Sequence, residues 1–142
     1  MKTGWYSENE YIVVKPLKNK CRQSLIIGAI HANSNHWYLM AGIFSCNATY
    51  NSMMRSKVWE NPSSTNKNPS IKTISLALEA LNEIEQEIHN HVNGKKAYLY
   101  ADGLDERRLR VYTKILTKRC GYKKSTALSK HVNGAYLIYK KI

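Results

Sequence analysis

The first third of the chain sets short apolar runs between polar breaks. Tyr11 to Leu17 (YIVVKPL) predicts a first strand, and Pro16, which cannot donate into a ladder, places it at a sheet edge. Ser24 to Ala32 is continuously apolar and largely β-branched, and predicts a second strand. His36 to Phe44 predicts a third. The polar turn Asn33-Ser34-Asn35 between them makes the pair an antiparallel hairpin. Tyr50 to Trp59 fits a fourth strand or a short helix equally well. Glu60 to Ser70, full of Asn, Pro and Ser, reads as a loop.

The period then changes from strand-like to helical. Ile71, Ile74, Leu78, Leu81, Ile84 and Ile88 recur on one face of a helix spanning Ile71 to His91. Asn68 or Ser70 can cap its start, Pro69 suits its first turn, and Gly94 can end it. Lys96 to Ala101 alternates as a strand. A second helix runs from Asp105 to about Cys120. Asp105 is a good N-cap, and Leu104 and Leu109 stand at hydrophobic-staple positions. Leu109, Tyr112, Leu116 and Cys120 form its apolar stripe, and Gly121 ends it. Asn133-Gly134 between Ala127–Val132 and Ala135–Lys140 is a hairpin signal. The expected fold is one α+β domain over residues 1–142. Its mixed, mostly antiparallel sheet would have six or seven strands, with two main helices.

Composition narrows the function classes. At 142 residues and 43% hydrophobic content there is material for one core. No apolar stretch is long enough to span a membrane, and Met1 to Glu10 lacks the apolar core of a secretory signal. Cys21, Cys46 and Cys120 are far apart with no CxxC, which fits reduced thiols in a cytoplasmic protein. No histidine set shows metal-ligand spacing, so no metal is expected. The charge is the strongest compositional signal: 22 Lys+Arg against 10 Asp+Glu give +12 and a pI near 9.7. Such a field attracts polyanions, whether nucleic acid, an acidic protein or a phosphate-rich cofactor. Glu79, Glu83, Glu85 and Glu87 all lie on the first helix, so the rest of the chain is more basic than the mean.

The order strand, loop, amphipathic helix, strand, helix, hairpin over roughly residues 55 to 142 resembles the C-terminal half of the GNAT acyltransferase family. Asp105-Glu-Arg-Arg-Leu-Arg-Val-Tyr-Thr-Lys-Ile115 is similar to that family's helix signature. The resemblance implies a sheet of the acyl-CoA N-acyltransferase kind and transfer of an acetyl or acyl group from acyl-CoA to an amine. It puts Tyr112 where the family has the acid for the departing thiolate, and Asp105 on the cofactor side. The chain departs from the family in three places. The family's glycine-containing pyrophosphate loop is replaced by Asn66-Lys-Asn-Pro-Ser-Ile-Lys-Thr73. Only Lys18 to Gln23 separates the first two strands. Gly121-Tyr122 follows Tyr112 later than the family's Gly-Phe does.

Two functions from different classes follow. As an acyltransferase, the protein would use Tyr112 as acid and hold acetyl-CoA through Ser70, Lys72, Thr73 and Asp105. Glu60, Asp102 or Glu106 would serve as base. A cleft would then open where two strands part beside Asp102–Asp105, facing Ser70–Thr73. As a non-enzymatic binder, the protein would instead contact nucleic acid or an acidic protein. Arg107, Arg110, Lys114 and Lys118 form a helical stripe for this, widened by Arg108, Arg119, Lys123 and Lys124. Tyr38, Tyr122, Tyr136, Tyr139 and Trp37 are aromatics that could stack on bases. Each of these residues also has a plain reading as core, cap or solvated surface. Either function leaves a homodimer open.

Overall fold

The computed structural model describes residues 1–33, 35–55, 71–101, 114–125 and 137–142. These residues build a mixed sheet of seven strands. The strands are β1 (Gly4–Ser7), β2 (Glu10–Pro16), β3 (Gln23–Asn33), β4 (His36–Ser45), β5 (Tyr98–Ala101), β6 (Lys123–Ser125) and β7 (Leu137–Lys141). Their spatial order is β1-β2-β3-β4-β5-β7-β6. Neighbours are antiparallel except β4 and β5, which pair in parallel. The helices are α1 (Tyr50–Arg55), α2 (Ile71–His91) and α3, residues 114–119.

The sheet is wider at its N-terminal edge than the sequence predicts. β1 lies outside β2, so β2 is not an edge strand. Pro16 is tolerated because β1 pairs only with Glu10 to Ile12, and the far end of β2 needs no donor on that side. β1 is short and carries no apolar run, so it has no strong sequence signal. The β2–β3 link is short, as expected. Lys18 and Arg22 turn it with positive φ, and Asn19 Oδ1 accepts from the Gln23 N–H at 3.0 Å. Tyr50–Arg55 resolves as helix, its Met53 inserted under the sheet.

α2 has the predicted bounds. Its end is set by Asn93 and Gly94, both at positive φ, the second at 84° where glycine is unstrained. Ala80, Leu81, Ile84 and Ile88 are buried against Tyr11, Val13, Leu25, Ile27, Ala29, Trp37 and Leu99. Small Ala80 lets the helix approach β2 and β3 closely. Ile74 and Leu78 are only half-buried. The opposite face of the sheet carries a smaller core, Ile12, Ile26 and Phe44, covered by Met53 of α1.

α3 ends at Gly121 (φ 76°), where the Tyr122 N–H reaches back to the Leu116 carbonyl. Leu116 and Cys120 join the α2 core, and Tyr122 is buried within it. The start predicted for that helix at Asp105, and the predicted Asn133-Gly134 turn, lie outside the described residues. The described pairing sets Leu137 opposite Ser125, whereas a two-residue turn at Asn133-Gly134 would set it opposite Lys130.

Ile84 is fully buried at the centre of the α2 face. Ile84→Ala should lower the unfolding free energy by about 2–5 kcal/mol in urea melts followed by circular dichroism. Gln86→Ala, at an exposed position of the same helix, should change it by no more than about 0.5 kcal/mol.

Candidate functional site

The acidic face of α2 is consumed by structure. Lys15 of β2 sits 2.7 Å from Glu83 and 3.8 Å from Glu79. Glu85 accepts from Lys140 Nζ and from the Tyr122 hydroxyl, each at 3.0 Å. Glu87 accepts from the Trp5 indole at 3.1 Å. One helix is thereby tied to β1, β2 and β7. Burial and the Glu85 carboxylate push the Tyr122 phenol far up, so it remains a neutral donor.

A cleft of about 260 Å³ lies beside this network, lined by Leu78, Leu81, Asn82, Glu85, Arg119, Cys120 and Lys140. Its thiol is not activated. Burial and Glu85 raise the Cys120 pKa more than Lys140 and Arg119 lower it. Its carboxylate is already paired on both oxygens. The cleft therefore offers neither a nucleophile nor a free base.

The parallel strands behave differently. β4 and β5 pair only at His36↔Tyr98, Trp37↔Leu99 and Tyr38↔Tyr100. β4 continues to Ser45 along β3, and Ala101 of β5 continues along β7. From Leu39 onward, β4 has no partner on its β5 side among the described residues. α2 runs antiparallel to β4, with His91 edge-on to Trp37 at a ring separation of 5.9 Å near the start of that strand. The N-terminal turn of α2 therefore faces the end where β4 and β5 have parted. Lys72 is exposed in that turn, and Thr73 is half-buried.

Of the sequence-predicted site residues, Ser70, Asp105 and Tyr112 lie outside the described residues. So do the possible bases Glu60, Asp102 and Glu106, and Arg107, Arg108, Arg110 and Tyr136. Lys114, Lys118 and Arg119 on α3 and Lys123 on β6 are exposed, as a polyanion surface requires. Two of the proposed stacking aromatics are excluded. Trp37 and Tyr122 are 2% and 3% exposed, packed into the α2 core, whereas Tyr38 is 40% exposed. Among the described residues no group of His, Cys, Asp and Glu could hold a metal, and no helix is long and apolar enough to cross a membrane.

Sequence reasoning missed Glu10. It is buried on the α1 side of the sheet, where its Oε2 accepts from the Tyr50 hydroxyl at 2.5 Å and its Oε1 has no partner among the described residues. An acid that opens an exposed-looking turn carries no signal of this. The carboxylate acceptor, with burial second, raises the Tyr50 pKa from 10.0 to about 12.

Tyr50→Phe would leave both Glu10 oxygens without a donor among the described residues and should cost about 1–3 kcal/mol at neutral pH. The raised phenol pKa makes the Tyr50 contribution full below pH 10, and it is lost as pH climbs from 10 through 12. The stability gap between wild type and Tyr50→Phe should accordingly narrow over that window in alkaline denaturation. A gap constant from pH 8 to 12 would contradict the pairing.

No family model, curated protein or solved structure matches this chain.

Proposed function

We propose that this protein binds acyl-CoA in the opening between β4 and β5 and transfers the acyl group to an amine, as the GNAT resemblance implies. The observation that carries the proposal is the one parallel pair of the sheet, which separates after Tyr38 and Tyr100. Backbone groups of β4 beyond that register have no strand partner on that side among the described residues. The pantetheine arm of a coenzyme A thioester is extended and carries amides, so it can pair with β4 as an added strand would. The first turn of α2 faces the same opening. There the helix dipole and Lys72 supply positive potential for a pyrophosphate. Side chains replace the glycine-borne backbone contacts that the sequence lacks.

In this reading the amine attacks the thioester carbonyl directly. The C–N bond forms as the C–S bond breaks, the amine proton passes to a base, and Tyr112 protonates the thiolate. The resemblance assigns Asp105 to the cofactor side, and this reading gives Ser70 and Thr73 a role in holding the pyrophosphate.

Isothermal titration with acetyl-CoA tests the binding. Micromolar affinity is expected, weakened several-fold by Lys72→Ala, whose side chain is exposed. Tyr112→Phe should leave binding intact and lower turnover about 10²-fold or more once an acceptor is found. Absence of heat at high protein concentration would overturn the proposal.

A further inference from the structure

The pairing register lines up a set of side chains that no single strand reveals. Cα partners across adjacent strands put their side chains on the same face. Following the register from β4 outward gives Tyr38, Tyr100, Tyr139 and Lys123 as one transverse row across β4, β5, β7 and β6. The next row on the same face is His36, Tyr98 and Lys141. The α2 core is on the opposite face, built by the alternate residues Trp37 and Leu99.

The rings form a continuous platform. Tyr38 and Tyr100 are 5.5 Å apart, Tyr100 and Tyr139 6.2 Å, and Tyr98 and Tyr100 6.4 Å, with interplanar angles of 30–35°. His36 meets Tyr100 edge-on at 5.0 Å. Tyr100 is nearly buried and backs the others, while Tyr38 is the exposed end of the row. Lys123 and Lys141 are exposed at the other end of their rows. No acid stands in either row between β4 and β6. The next acid along the first row, Glu10, is two strands beyond Tyr38 and buried under Tyr50. On this face α1 covers the far part, over Ile12, Ile26 and Phe44.

We propose that this tyrosine–lysine face binds single-stranded nucleic acid, with bases stacked on Tyr38 and the neighbouring rings and the phosphate backbone directed to Lys123 and Lys141. Charge complementarity selects this occupant. Among the described residues the two rows carry cations and no acid, in a chain of net charge +12. A polyanion with planar, unpaired bases satisfies both the rings and the lysines. Duplex DNA shows its phosphates but shields the faces of its bases, so it satisfies only the lysines. The site is separate from the cation stripe of α3 and does not depend on acyl-CoA binding.

Fluorescence anisotropy with labelled dT12 and rU12 tests the proposal on the full chain. Binding to one or both is expected, with matched duplex weaker, and the two oligomers distinguish DNA from RNA. Tyr38→Ala should weaken binding about 5- to 100-fold, and Tyr38→Phe, which keeps the ring, should restore most of it. Lys123→Ala with Lys141→Ala should reduce the slope of log affinity against log salt by about 0.7 for each phosphate no longer neutralised. Tyr38 is at the surface, and a circular dichroism melt confirms that each variant folds. The assignment would be overturned by Tyr38→Ala binding as tightly as wild type, or by duplex matching the single strands. Loss of binding only in Lys114→Ala with Lys118→Ala would also overturn it, and would move the nucleic-acid site to α3.

Discussion

The parallel pairing of β4 with β5 is the constraint on which the rest of the molecule depends. Parallel neighbours cannot be joined by a tight turn, so the chain must leave the sheet, cross one face and return. α2 makes that crossing. Its apolar stripe, Ala80, Leu81, Ile84 and Ile88, buries the inner side of four strands, β2 to β5. Its acids then fix its lateral position. Lys15 holds one flank to β2, and Lys140 with Tyr122 holds the other beside β7. The span of the crossing lets β4 and β5 share only three registers before each follows its antiparallel neighbour. The opening proposed for acyl-CoA and the tyrosine row both begin at the last shared register, Tyr38↔Tyr100.

Fixing α2 in this way also sorts the charge. The helix carries four of the chain's ten acids, and all four have basic or hydrogen-bonding partners on the sheet. Lys114, Lys118, Lys123 and Lys141 meanwhile remain exposed. Composition fixes the excess of +12, and the architecture decides where the described part of it faces water. Carboxylates are spent on docking one helix, and cations on α3, β6 and β7 face water. Long-range attraction of a polyanion follows from that segregation.

The parts of the fold legible in the sequence are those with a strong period. α2 is legible to its residue bounds because one apolar stripe and Gly94 both define it. β3 and β4 follow from two apolar runs with a polar break. What escapes is decided by partners distant in sequence. β1 is a strand because β2 offers it an edge, not because of its own composition. Pro16 misplaces β2 because a proline excludes hydrogen bonding on one side only, and there the neighbouring strand has already ended. The site is harder. Trp37 and Tyr122 are aromatic residues among basic ones, and nothing local distinguishes a core ring from a stacking ring. The tyrosine row joins residues from four separate strands, so it is visible only once the register is known.

The lysines alone would not justify a binding face. β6 is a three-residue edge strand, and Lys123 and Lys124 blunt such an edge whichever face each points to. Edge protection accounts for both equally well, but it does not account for the rings. Among the described residues no helix but α1 packs on this face, and the part beyond α1 needs side chains that tolerate water, a need that small hydroxyl residues would meet. This face instead aligns tyrosines on β4, β5 and β7 in one register, with another on β5 in the next. Tyrosine combines a large apolar ring with a polar tip, which suits a surface that is alternately wet and covered. The alignment of rings in register, more than the number of cations, is what assigns this face a planar ligand.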